Sequence, residues 1–361
     1  MELFNSEGLS VVICCYQSAG RIAETLYAVL CALPADNVEI ILVDNNCVDD
    51  TVSIARSILK ASKIPFVIRH ESKPGLQAAR AMGVRSARFN IVAFVDDDNS
   101  PQMQYFSNAI ALLRSDATLG AIGGRGIAIA ADGMPLPDWF SAVEKSFACG
   151  PQAKREGFAS SLYGACLVVR REPIAIFFGE LGCSVSGDRD GENLNSGGDS
   201  ELCYWLIFNG YRLWYDPEMI FFHRIDRQRL SIEYYLRLVY GLGHSAAYDD
   251  IYREITGTKK DRGFYLRSSR LGLAVWIALK VLQNFRESLH LKNSDTTGTT
   301  AEVPLLGKRE FNKGLILSLL KEPLIRRLSK LRAETKRRWL AARAGCVQGK
   351  ILNGNSRVSG E

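Results

Sequence analysis

No C-x-x-C pair occurs in this 361-residue chain, although it holds nine cysteines, at positions 14, 15, 31, 47, 149, 166, 183, 203 and 346. An odd number without such pairs excludes an even disulfide framework and the usual structural zinc pattern. Buried or free thiols in a reducing cytoplasm remain. No apolar run reaches the roughly 20 residues that a spanning helix needs. Leu9 to Tyr16 has the length of a buried strand, and Leu271 to Leu282 is interrupted by Lys280. Met1 to Ser10 carries Glu2 and Glu7 with no basic flank before an apolar run, so no secretory leader is expected there. No internal repeat is visible, and no nucleic-acid-binding module accompanies the basic residues.

What is present suits a folded chain rather than a disordered one. Hydrophobic residues make up 47% of the chain and charged ones 23%, enough for one large core and a second, smaller unit. The formal charge of +6 is unevenly placed. Residues 308–350 hold thirteen Lys and Arg against Glu310, Glu322 and Glu334, a net of about +10, which leaves the remainder near −4. An anionic partner is therefore expected at the C-terminal end alone. Leu315 to Leu340 mixes leucines and isoleucines with Lys and Arg. That composition fits an amphipathic helix lying on an anionic membrane, and equally a packed helix with a basic outer face.

The first hundred residues alternate two periodicities. Leu9 to Cys15, Val38 to Asp44, Phe66 to Arg69 and Ile91 to Val95 are β-branched runs expected to be strands. Between them, residues 20–32, the stretch after Asp49-Asp50-Thr51, and Leu76 to Ala87 carry apolar residues at helical spacing. A strand–helix period of about 25–30 residues predicts βαβ units in an open sheet, with ligands beyond the carboxyl ends of the strands. Tyr16-Gln17-Ser18, Asp44-Asn45-Asn46 and Asp96-Asp97-Asp98-Asn99 cluster at those ends. Farther on, strands are expected over 119–130, 164–169 and 211–224, a loop over 182–198, and a helix from Gly198 through Phe208. The chain reads as helical from Ser231, with a polar break over 293–300. The division expected is 1–230 and 231–361.

Asp96 and Asp98 are two residues apart, so on an extended strand end both would point to one side. Such a pair suits a divalent ion completed by phosphate oxygens, whereas a solvated acidic turn would have the same composition.

Four ordered segments carry a resemblance. Val11 to Gln17, Ile41-Leu42-Val43-Asp44-Asn45-Asn46-Cys47-Val48-Asp49-Asp50-Thr51, Lys73-Pro74-Gly75-Leu76-Gln77-Ala78-Ala79-Arg80 and Phe94-Val95-Asp96-Asp97-Asp98 resemble the motif series of family 2 glycosyltransferases. The resemblance covers residues 9–224. The first motif departs from the family's Pro-Thr-Tyr-Asn-like ending, lacking its Pro and Asn. The resemblance implies a GT-A fold, a Rossmann-like, mostly parallel sheet flanked by helices, followed here by a mainly helical C-terminal region. It implies a nucleotide-sugar site at Cys15, Tyr16, Asp44, Lys73, Gly75, Arg80, Asp96 and Asp97, and a Mn²⁺ or Mg²⁺ ion at Asp98, Asp96 and His223. Arg80 would pair with a phosphate or with Asp96, and His223 is a metal ligand or a satisfied core histidine.

Gly197-Gly198-Asp199-Ser200-Glu201-Leu202 is similar to the family's Glu-Asp-x-Glu-Leu segment, with Gly198 in place of the first acid. Asp199 would be the general base; a helix N-cap is the competing reading. Trp139 would stack on a sugar or pack in the core. The resemblance implies an inverting, metal-dependent transferase. It would move a sugar from a nucleotide diphosphate, UDP favoured, to a saccharide or lipid-linked acceptor in polysaccharide or glycoconjugate synthesis. The expected location is cytoplasmic, with peripheral attachment to the inner face of the cell membrane. A sugar-phosphate nucleotidyltransferase would need an early Gly-rich phosphate loop, and Tyr16 to Arg21 has one glycine. A scaffold retaining an inactive transferase domain is the non-enzymatic alternative.

Overall fold

The computed structural model describes residues 6–181, 194, 197–258, 272, 275–283, 302–320 and 334–341. Strands β1 (Ser6–Cys15), β2 (Val38–Asp44), β3 (Phe66–His70) and β4 (Phe89–Asp96) are parallel, in the order β3-β2-β1-β4. Helices α1 (Ile22–Ala32), α2 (Thr51–Ser62) and α3 (Leu76–Ser86) join them. A strand covered on both faces must be apolar at successive positions, and β1 shows how this works. Leu9, Val11, Ile13 and Cys15 enter one buried cluster with Ile22, Leu26 and Leu59, while Val12 enters the opposite cluster with Ala79 and Val84.

Beyond β4 the sheet becomes mixed. Strands β5 (Asn99–Pro101), β6 (Leu119–Ala130), β7 (Gly157–Ala159), β8 (Leu167–Arg170) and β9 (Arg212–Ile225) complete nine strands among the described residues. β8 runs antiparallel between β4 and β6, and β9 pairs with β6, β5 and β7. The strand expected over 164–169 is shorter and later, because Cys166 adopts φ +53° and turns the chain before β8 begins. Helices α4 (Tyr105–Ser115), α5 (Arg171–Ile176) and α6 (Gly198–Phe208) pack on the sheet.

Helix α7 (Ile232–Thr256) begins where helical character was expected, capped by the Ser231 hydroxyl, which accepts from the Tyr234 N–H. It packs against α8 (Glu302–Leu320). A third cluster, built on Trp139, Phe140, Phe147, Tyr235 and Val303, joins these helices to the short turns around residues 140–147. Trp139 is buried there, 5.9 Å from the Tyr235 ring, so it packs in the core. Residues 334–341 are helical, and Trp339 is buried against Trp205 and Phe208 of α6 and Tyr252 of α7. Among the described residues no helix is long and apolar enough to cross a membrane. The expected loop 182–198, the polar break at 293–300 and most of the basic run lie outside the described residues, wholly or in part.

Candidate active site

A cavity of about 800 Å³ opens at the carboxyl ends of β1, β2 and β4. Tyr16, Asn45 and Gly75 line one end, the three aspartates the middle, and Asp199 the other wall. Asn45 shapes the first end. Its amide donates to the Glu71 and Lys73 carbonyls at 2.8 Å each, and its Oδ1 accepts from the Gly75 N–H at 2.9 Å. Gly75 sits at φ +119°, ψ 143°, a conformation that needs glycine, and hands the chain to α3. Cys15 is buried in the cavity wall, with its carbonyl accepting from Asn45 N–H at 3.0 Å. Tyr16 is 55% exposed beside it. Asp44 and Lys73 are not among the lining residues. Asp44 accepts from the Cys47 N–H at 2.8 Å and meets His70 Nδ1 at 3.1 Å; against the effect of burial, these contacts lower its pKa from the usual value.

The three aspartates have three different surroundings. β4 ends at Asp96, and Asp97 and Asp98 form a turn, so the strand alternation expected to align Asp96 with Asp98 does not extend to Asp98. Asp97 binds the β1–α1 loop. Its carboxylate accepts from Arg21 Nε and Nη2 at 3.1 Å each, from the Tyr16 N–H at 3.3 Å, and from the Ser18 hydroxyl. Asp96 meets Arg80 at 3.3 Å, and Asp98 meets Arg229 at 2.8 Å and His223 Nε2 at 3.3 Å. Burial raises the Asp98 pKa, yet His223 and Arg229 outweigh it and hold that carboxyl well below the usual range. In return, against burial, Asp98 pushes His223 up to about 10.

Arg80 joins the two walls of the cavity. It is only 2% exposed, lies 5.2 Å from the Phe94 ring centre, and donates to both Asp96 and Asp199. The phosphate-or-carboxylate alternative is therefore filled by carboxylates in this structure. The competing reading of Asp199 as a helix cap does not hold: Gly197 is the N-cap of α6, without a side-chain cap. The Asp199 carboxylate instead accepts from Arg80 and from the Gly164 N–H at 3.0 Å, leaving it one-third exposed toward the cavity. A Cβ at Gly164 would stand 2.2 Å from Asp199 Oδ1. Gly164→Ala is expected to displace the carboxylate and reduce turnover by about 10²-fold, with nucleotide binding retained. Steady-state kinetics check this, and unchanged turnover would remove Asp199 from the chemistry.

Of the expected metal ligands, Asp98 and His223 come together, while Asp96 pairs with Arg80. Among the described residues no three His, Cys, Asp or Glu side chains already form a ligand set. The pair has the donor chemistry of a hard or borderline dication site, but the Asp98 oxygen facing His223 also accepts from Arg229 at 2.8 Å, so an ion there would displace that guanidinium. His223 Nδ1 lies 2.8 Å from the Phe147 carbonyl and acts as a donor there, so Nε2 faces the Asp98 carboxylate and needs either a proton or a cation between them. Arg21, Asn45 and Arg229 were not singled out from the sequence. Arg21 and Arg229 meet their aspartates across 76 and 131 residues, a distance no local pattern spans.

The profile described as glycosyl transferase family 2 matches residues 10–174. This segment is a family 2 glycosyltransferase domain. It contains the four ordered motifs and ends before Asp199 and His223, whose places are known from geometry alone. The chain is 31% identical over 117 residues to glycosyltransferase AglE of Haloferax volcanii, covering 32% of this chain and 38% of that protein. It is 29% identical over 119 residues to the chondroitin synthase of Escherichia coli, covering 33% and 17%. The matches thus span less than two-fifths of these relatives' own lengths. Mannosyltransferase PcManGT from Pyrobaculum calidifontis, solved with GDP-Man and Mn²⁺, superposes with a TM-score of 0.54 at 16% identity, covering 87% of each chain. That similarity establishes a shared fold for the family 2 domain and the elements after it.

Proposed function

We propose that the chain transfers a sugar from a nucleotide diphosphate donor to an acceptor hydroxyl by single displacement with inversion. One observation carries the reading: a buried arginine holds both Asp96, at the end of β4, and Asp199, on α6, against one cavity. In this reading the nucleotide lies along Tyr16, Asn45 and Gly75, with its diphosphate reaching the aspartate turn. Asp199 accepts the proton of the acceptor hydroxyl as its oxygen attacks the anomeric carbon from the side opposite the diphosphate. Asp98 and His223 would hold Mn²⁺ or Mg²⁺, with Asp96 nearby, and such an ion neutralises charge developing on the departing diphosphate. Arg21 fixes Asp97 and the loop carrying Tyr16, and so shapes the nucleotide end without touching the reacting atoms.

The proposal extends to organisation. Residues 1–230 form the catalytic unit. The helical remainder closes the cavity through Leu238 and Leu242 and offers its basic segment 308–350 to an anionic membrane surface. UDP-sugars are the favoured donors, with a saccharide or lipid-linked acceptor.

A thermal-shift panel of UDP, GDP and dTDP, each with and without Mn²⁺, tests the central reading. One nucleotide should raise Tm by several degrees, and only when the ion is present, as ligand linkage requires at concentrations well above Kd. No shift with any of them would overturn the donor assignment.

A further inference from the structure

A second cavity, of about 380 Å³, adjoins the first, and Lys145 and Ser146 line both. Its size falls in the range of small-molecule sites. It lies among the turns at 141–146, α7 and α8. Val143, Tyr235 and Val239 are buried along it and Phe311 is half-buried, while Lys145 and Lys308 are exposed. Glu144 is the other charged residue there, and its carboxylate lies against Gly150.

The helical walls are held close. A Cβ on Gly307 would stand 1.9 Å from the Tyr235 hydroxyl, one on Gly243 would stand 2.0 Å from the Phe311 carbonyl, and one on Gly314 would meet the Tyr240 carbonyl at 2.1 Å. Helices packed this closely leave a groove whose shape is fixed by backbone. A groove with an apolar inner wall at Val143, Tyr235, Val239 and Phe311, and a polar rim where Lys145 and Lys308 outnumber Glu144, matches an amphiphile with an anionic end. A free saccharide would bury no hydrocarbon there, and a peptide strand would find no sheet edge.

We propose that this groove binds the hydrocarbon chain of the acceptor, with the phosphate or diphosphate joined to that chain lying at Lys145, between the groove and the reaction cavity. The inference rests on the transferase reading and names its acceptor class. The saccharide on such a carrier would present its hydroxyl to Asp199. The new bond forms between that oxygen and the donor's anomeric carbon, the bond to the nucleotide diphosphate breaks, and the proton passes to Asp199.

Farnesyl diphosphate is the probe, titrated calorimetrically into the full chain with saturating nucleotide and Mn²⁺ so that the donor end is filled. Saturable binding is expected, at least about tenfold tighter than for pyrophosphate or farnesol alone. Lys145→Ala and Val239→Trp should each weaken it about tenfold while leaving the nucleotide-induced Tm shift unchanged. Binding indifferent to Val239→Trp, pyrophosphate binding as tightly as the probe, or no binding would overturn the proposal. Dimerisation abolished by Val239→Trp would do so as well, by assigning the groove to a second copy. Farnesyl diphosphate binding without any nucleotide shift would leave the groove standing and remove the transferase reading.

Discussion

Asp199→Asn is expected to lower turnover by about 10²–10⁴-fold, the usual contribution of a positioned general base. The change keeps the shape of the side chain but leaves one good acceptor where two N–H donors converge, from Arg80 and Gly164. About 1.5–3 kcal/mol of stability should go with the lost charge-assisted contact to buried Arg80. Nucleotide binding should persist, because Tyr16, Asn45 and Gly75 are untouched. Release of nucleotide from the donor, measured alongside Tm, separates these contributions. Turnover within threefold of the parent would exclude Asp199 as the base and return it to a structural part beside Arg80.

Arg80→Ala should cost stability more than any other single change at the site. It removes the cation shared by Asp96 and Asp199, and leaves an empty volume against the Phe94 ring. Breaking a buried ion pair from one side costs about 3–5 kcal/mol. Unfolding in urea should therefore shift to clearly lower denaturant, and Arg80→Lys should recover only part of the loss, because an ammonium group lacks the planar fork that spans two carboxylates. A midpoint equal to that of the parent would show that the two carboxylates do not depend on Arg80.

The sheet's first half was legible because its strands are continuous apolar runs and its helices carry a separate period. Each of the first four strands appears where β-branched residues predict it, and the polar ends do form one cavity. Legibility failed where conformation is decided by contacts distant in sequence. Cys166 reads as part of an apolar strand, but it takes a left-handed conformation next to the Gly164 N–H that holds Asp199. Asp98 reads as a strand residue because Val95 and Asp96 are, yet the chain turns to pair Asn99 with His223 on β9. Asp199 stands where a cap is common, yet its carboxylate turns to buried Arg80, 119 residues earlier in the chain. The aspartates themselves were visible as a motif. So was the pairing of Arg80 with Asp96, whereas Arg21 and Arg229 were not, since their partners are chosen by the completed fold.

Trp339 ties the short helix at 334–341 to the helix that carries Asp199. Its indole is stacked on Tyr252 and set edge-on against Trp205, one of the buried anchors of the helix that opens with Asp199. Lys336 and Arg337, on the same short helix, face outward. Trp339 and Asp199 are thus separated by more than a hundred residues of sequence and by a single layer of aromatic packing.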